Sequence, residues 1–232
     1  MQHTHEHATV PAYRKGEFFN QLAPAALADL ESYIFPSAYP AHTTLFAETQ
    51  PSTGIYIVLE GEVRLSINSQ DGRRLSFRIA KAGEVLGLSS TVSGKDYEMT
   101  AETLYPAKVA QVSRQVFLQF LGRHPEAYQT VAREMIQTFN MACEQLRTVG
   151  LSNSAPERLA RLLLGWSEDN TVTGAARCRL SLTHEEIGEF IGASRETVTR
   201  TLSAFKHRRL VAQHGCTLEI VNRNALEAYA CG

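Results

Sequence analysis

The chain has 232 residues, 44% of them hydrophobic and 20% charged, with a formal net charge of -1, the balance of an ordinary folded protein with core for one large or two small domains. It excludes a disordered or collagen-like chain. No apolar run approaches the roughly 18 residues that cross a bilayer and the opening MQHTHEHATVPAYRKGEFF has no secretory core, so a cytoplasmic protein with no membrane partner is expected.

Residues 1–16 are polar and read as a flexible, solvated tail; His3, His5 and His7 alternate along it, but on a terminal segment a solvated tail is a better reading than a metal site. From Phe18 to Ile34 apolar residues recur at helical spacing, giving a short amphipathic helix or two that Pro36 and Pro40 stop. Residues 41–113 change period. The runs GIYIVLEGEVRLSI, RRLSFRIA and AKVAQVS, separated by Gly61, Asp71-Gly72 and Gly83, are the mark of many short strands in a sandwich or barrel-like roll. Asp71-Gly72 is the expected hairpin turn, since it tolerates positive φ. With its flanking helices this unit is placed at 17–124.

From Pro125 the helical period returns, and Tyr128, Ala132, Met135, Phe139, Ala142, Leu146 and Val149 fall at alternating spacings of four and three. That is an a/d seam of about three heptads over 125–149. A helix lying on its own roll would also show one apolar stripe. This stripe is narrow and flanked by Arg133, Glu134, Gln137, Glu144 and Gln145, so a seam between two copies of the chain is expected. Gly150 and Ser152-Asn153-Ser154 mark a hinge at 150–155. Residues 156–232 form a smaller unit that opens on the helix PERLARLLLGWSED, with Pro156 near its start, and continues with a short strand from Arg177 to Leu182.

The segment LTHEEIGEFIGASRETVTRTLSAFKHRRLV carries the chemistry. Thr183 with Glu186 is a capping-box arrangement, Ile187, Phe190 and Ile191 supply a buried face, and Gly192 permits a tight turn. Ser194 caps a second helix whose inward stripe is Val198, Leu202 and Phe205, leaving Arg195, Glu196, Thr199 and Arg200 outward. This is a helix-turn-helix whose second helix presents long hydrogen-bonding side chains where a recognition helix meets base edges in the major groove. Arginine can donate two bonds to guanine and glutamate can accept from the cytosine amino group. Five basic residues stand between Arg195 and Arg209 against the single acid Glu196, and LVAQHGCTLEIV reads as the two strands of a wing around His214-Gly215. A surface helix with merely solvated side chains does not account for this combination, and double-stranded DNA is the expected partner.

These stretches resemble the Crp/Fnr family of bacterial transcription regulators. EEIGEFIGASRETVTRTLSAFKHRRLV looks like its helix-turn-helix signature, and YPAHTTLFAETQPSTGIYIVLEGEVRLSI looks like the opening strands of its cyclic-nucleotide-binding-type roll. The resemblance covers nearly the whole chain and implies an α+β fold: an N-terminal β-roll of jelly-roll type, a long dimerisation helix, and a C-terminal winged helix-turn-helix. In members similar to the cyclic-AMP receptor, Arg-Glu-x-x-x-Arg reads a TGTGA-like half-site, matched here by Arg195, Glu196 and Arg200; members similar to FNR carry serine before the final arginine, where Thr199 stands. Ser194, Thr197, Lys206, Arg208 and Arg209 are expected to make phosphate contacts, and RNA polymerase is expected as a further partner of the DNA-bound homodimer.

The family's effector pocket maps onto Gly83, Glu84, Gly87, Leu88, Tyr97, Glu98, Met99 and Thr100, and its adenine-contacting Thr-Ser pair onto Cys143 and Glu144. Cyclic-AMP-binding members have a glutamate after the second glycine and an Arg-Ser pair for the phosphate. Here Leu88 and the run Tyr97 to Thr100 stand in those places, and a phosphate buried without a cation is costly, so cyclic AMP is not expected. No cysteine precedes Cys143 and none of the four forms a CxxC pair, which argues against an iron–sulfur cluster or structural zinc. Haem would need an axial ligand from His42, His124 or Cys143; His42 stands where the family has glycine and reads as an exposed turn, and Cys143 beside the seam residue Ala142 reads as a buried, inert thiol. A small-molecule effector of unknown identity remains. Two alternatives compete with the regulator. A cupin-like metal-dependent enzyme needs several histidines in the roll, and residues 41–113 contain only His42, with no P-loop or nucleophile–base pair. A constitutive DNA-binding protein with a non-sensing roll would keep one operator affinity across a ligand panel.

Overall fold

The computed structural model describes residues 11–152, 154–168, 177–179, 182–215 and 217–230. The chain divides into two compact units, one built on residues up to 67 and 78–139, the other on residues 68–77 and from 140 onward.

In the first unit a 3-10 turn, Ala12–Lys15, precedes α1 (Glu17–Asn20) and α2 (Pro24–Glu31). Tyr13 lies edge-on to Phe19 at 5.3 Å and donates to Glu31 at 3.1 Å, and Arg14 pairs with the same carboxylate. The tail expected over residues 1–16 is therefore ordered at its end, because these two side chains find partners far along the chain that no local pattern reveals. His3, His5 and His7 lie outside the described residues.

One sheet runs in the order β1 (Ser37–Tyr39), β8 (Ala107–Ser113), β3 (Gly54–Glu60), β6 (Val85–Leu86); the other runs β2 (Thr44–Phe46), β7 (Thr100–Thr103), β4 (Glu62–Asn68), β5 (Arg74–Lys81). The strand β3 is buried along nearly its whole length because both faces are covered. Ile55, Ile57 and Leu59 join Phe18, Phe19, Leu30 and residues of α4 (Arg114–Arg123) in one apolar cluster, while Tyr56 on the alternate face meets Phe46 of β2 at 5.2 Å. At Asp71-Gly72 the chain turns with φ +81° at Gly72, and Ser69 N donates to Arg73 O at 2.8 Å. A short helix, α3 (Leu88–Ser93), follows β6 between two left-handed glycines, Gly87 and Gly94.

The long helix α5 (Ala127–Leu146) buries Ala127, Thr130 and Val131 and leaves Tyr128, Ala132, Met135, Ile136, Phe139 and Leu146 exposed, with Ala142 half-buried. Its α-helical part stops at Leu146, and Arg147–Leu151 form one π turn. Val149 thus lies beyond the α-helix, since the wider turn adds a residue and interrupts the four-three spacing.

The second unit holds α6 (Ala155–Glu168), β9 (Arg177–Arg179), α7 (His184–Ile191), α8 (Arg195–His207), β10 (Val211–His214), β11 (Thr217–Ile220) and α9 (Arg223–Ala230), with the strands in the order β10-β11-β9. Leu159, Leu163, Ile187, Phe190, Val198, Leu202, Phe205, Leu218 and Leu226 are among its buried residues, and Trp166 packs edge-on against Phe190 at 5.4 Å. No helix of the described residues is long and apolar enough to cross a membrane.

Candidate nucleic-acid interface

Local chemistry fixes α7 and α8. The Glu186 N–H donates to Thr183 Oγ1 at 3.2 Å and the Thr183 N–H to Glu186 Oε2 at 2.8 Å, a reciprocal cap that satisfies two donors at the start of α7. Gly192 ends α7 in the left-handed region at φ +59°. The turn is tight: a Cβ on Gly188 would stand 2.4 Å from the Ala193 carbonyl oxygen, while the Ala193 N–H donates to Gly188 O at 2.9 Å. Ser194 then caps α8 by accepting from Thr197 N at 3.3 Å.

With Val198, Leu202 and Phe205 buried, α8 turns Arg195, Glu196, Thr199 and Arg200 outward together. Hydrogen bonds from its own backbone N–H and from Ser194 hold the Glu196 carboxyl below the usual range, so it is an acceptor at neutral pH. Ser194 and Thr197 share a 3.1 Å hydroxyl contact at the helix start, where unpaired N–H groups favour an anion. The hydroxyls of Thr199, Thr201 and Ser203 all donate back to carbonyls four residues earlier. His184 Nδ1 lies 2.7 Å from Thr199 Oγ1, a contact between α7 and α8 that no sequence pattern announces.

The basic residues after α8 differ in their commitments. Lys206 bonds Gln213 on β10, and Arg208 lies over the Tyr229 ring of α9, 5.7 Å from its centroid, with a bond to the phenol oxygen. Arg209 is exposed in the left-handed region at φ +55° and lines an open groove with Lys206, Gln213 and Gly215.

In the first unit the cassette of expected effector residues is knitted into the roll. Leu88 belongs to the apolar cluster. Tyr97 is buried, stacks on Phe46 at 4.1 Å, donates to Gly54 O at 2.7 Å and accepts from Thr53 N and Gly54 N at 3.1 Å. Gly83 and Gly87 are left-handed glycines; a Cβ would stand 2.7 Å from Gly16 Cα at the first and 2.9 Å from the Tyr97 ring at the second. Glu98 accepts from Ser89 and Ser90 at 2.7 and 2.6 Å, Thr100 accepts from Glu48 N at 3.0 Å, and Met99 is half-buried. Glu84 pairs with Arg78, and Arg114 donates to Thr91 O at 2.9 Å. Both arginines that touch the cassette are thus committed to oxygens of the protein, and the hydroxyl pair of Ser89 and Ser90 faces a carboxylate. These contacts compete with a cyclic phosphate for the two guanidinium groups. Cys143, a half-buried free thiol, and Glu144, paired with Arg147, lie on the part of α5 counted with the second unit. His42 is exposed and His124 bonds Asp29 at 3.0 Å; among the described residues no three metal-binding side chains group together.

Comparison with known proteins matches the model of a cyclic nucleotide-binding domain over residues 36–124 and that of a Crp-like helix-turn-helix domain over residues 157–229. The chain is 27% identical over 210 residues to a CRP-like cAMP-activated global transcriptional regulator of Mycobacterium tuberculosis, covering 90% of this chain and 93% of the relative. It is 28% identical over 207 residues to the nitrogen fixation regulation protein FixK of Bradyrhizobium diazoefficiens, covering 88% and 86%. Among solved structures, FixK2 from Bradyrhizobium japonicum shares the fold with a TM-score of 0.75 at 24% identity, over 84% of this chain and 96% of that one. Roll and winged helix, matched separately and in this order alongside relatives that are regulators rather than enzymes, place the chain in the Crp/Fnr family of DNA-binding transcription regulators.

Proposed function

We propose that the chain acts as a homodimer that reads a palindrome of TGTGA-like half-sites through Arg195, Glu196 and Arg200, meets RNA polymerase on that DNA, and answers to an effector other than cyclic AMP. The observation that carries the reading is the outward face of α8: two arginines and an ionised glutamate on a helix capped at its start and packed along its back. Arginine on guanine and glutamate on cytosine are the pairings such a face offers. The dimer is supported by the exposed apolar side of α5, where Phe139 and Leu146 are 67% and 70% exposed while Thr130 on the opposite side is 2% exposed. Two such recognition helices about one DNA turn apart, roughly 34 Å, fit a palindrome. Although the mycobacterial relative is cAMP-activated, Leu88 and the run Tyr97 to Thr100 stand in the cassette here and its two neighbouring arginines each bond a protein oxygen, and an effector works only by its difference in affinity for the two DNA-binding states. Binding-site selection with the purified protein tests the reading. Recovery of a palindrome with half-sites about 10 base pairs apart supports it, and recovery of no preferred sequence refutes it.

A further inference from the structure

The Thr199 hydroxyl has a single hydrogen, and its oxygen lies 2.9 Å from the Arg195 carbonyl, which can only accept. The hydrogen therefore goes to Arg195. His184 Nδ1 stands 2.7 Å from the same hydroxyl oxygen, and both contacts are hydrogen bonds at once when the ring is the tautomer that donates from Nδ1. A side chain from the first turn of α7 thus locks an exposed side chain of the recognition helix. With its hydrogen spent on its own backbone and one lone pair on the imidazole, the hydroxyl of Thr199 has no donor left for guanine O6 or N7, or for thymine O4. The remaining lone pair could accept only from adenine N6 or cytosine N4, so against thymine or guanine the group left to meet the base edge is the γ-methyl.

Resting on the reading of α8 as the base-reading helix, we propose that His184 is a specificity-determining positioning residue: it holds the Thr199 hydroxyl inward so that Thr199 reads a thymine methyl by apolar contact. His184 itself touches no base in this arrangement. Its effect is confined to the base pair under Thr199, which separates it from a phosphate contact, whose loss weakens every sequence alike.

The experiment is site selection from randomised half-sites, followed by equilibrium binding at fixed salt, for wild type, Thr199→Val, Thr199→Ser, His184→Ala, His184→Asn and the double variant His184→Ala/Thr199→Val. Thr199→Val keeps the methyl and is expected to keep the thymine preference. Thr199→Ser loses the methyl and is expected to lose that preference by about three- to tenfold. His184→Ala is expected to relax the same base pair when threonine is present and to change nothing when valine is, while His184→Asn, whose amide can still donate, restores it. A thymine preference lost in Thr199→Val or kept in Thr199→Ser overturns the proposal, as does a His184→Ala effect spread evenly over all sequences in both backgrounds. Should His184→Ala fail to fold, the asparagine and position-199 variants still decide. A wild type that selects no sequence overturns the reading of α8 and this proposal with it; selection that depends on Arg195 and Arg200 but ignores the position-199 variants overturns this proposal alone.

Discussion

Arg195, Glu196 and Arg200 share one exposed face of α8, and alanine at any of them should cost about 1–3 kcal/mol of binding and relax preference mainly at its own base pair. The cations after the helix should behave differently from one another. Arg209 is exposed beside the groove, and Arg209→Ala is expected to weaken all sequences alike and lower the salt slope by about one. Arg208 lies over Tyr229, so Arg208→Ala is expected to lower the melting temperature while leaving that slope in place; anisotropy titrations at several salt concentrations measure both. Glu134 gives a pH signature in the first unit. Burial on α5, then the carboxylates of Glu17 and Glu84, push its carboxyl above the usual range against the opposing pull of Arg78. A carboxyl that binds its proton more tightly when folded contributes its full stability below the unfolded pKa and loses it as pH rises through the folded one. Glu134→Gln should therefore melt higher than wild type at pH 7, with the gap closing on acidification.

At the scale of the element, the turn between α7 and α8 has no room for a side chain. Gly188→Ala would set a methyl 2.4 Å from the Ala193 carbonyl, and the overpacking is expected to cost about 1–3 kcal/mol, read as a lower urea midpoint together with weaker DNA binding. The seam of α5 is tested by Met135→Glu/Phe139→Glu, which would bury like charges between two copies; light scattering should show monomers where the wild type shows dimers. The two helices of the interface were legible in the sequence because everything that makes them is local: the Thr183–Glu186 box, the Ser194 cap, the spacing of Val198, Leu202 and Phe205. What stayed hidden joins distant residues. Thr199 meets a histidine 15 positions away, Arg208 a tyrosine 21 away, and Tyr97 spends its hydroxyl on Gly54, 43 positions back. Periodicity sees none of these, so the sequence could place Tyr97 in an effector pocket without showing that its polar end is already bonded in the roll. The end of α5 was hidden for another reason: a π turn leaves no mark on a pattern of fours and threes.

For the molecule as a whole, the two matched domains set what a working regulator must do. Calorimetry with cyclic AMP should detect no binding in the micromolar range, since Arg78 and Arg114 are held by Glu84 and Thr91; a micromolar constant would mean that those arginines can be released. The exposed stripe of α5 has a further consequence. On the proposed dimer, only a second copy of the chain covers Phe139 and Leu146, and the DNA-binding species then forms by mass action. While most chains are single, a tenfold rise in synthesis would give about a hundredfold more dimer. A promoter bound by this protein would then answer steeply to how much of the protein the cell has made, a threshold set by abundance alone and present before any effector arrives.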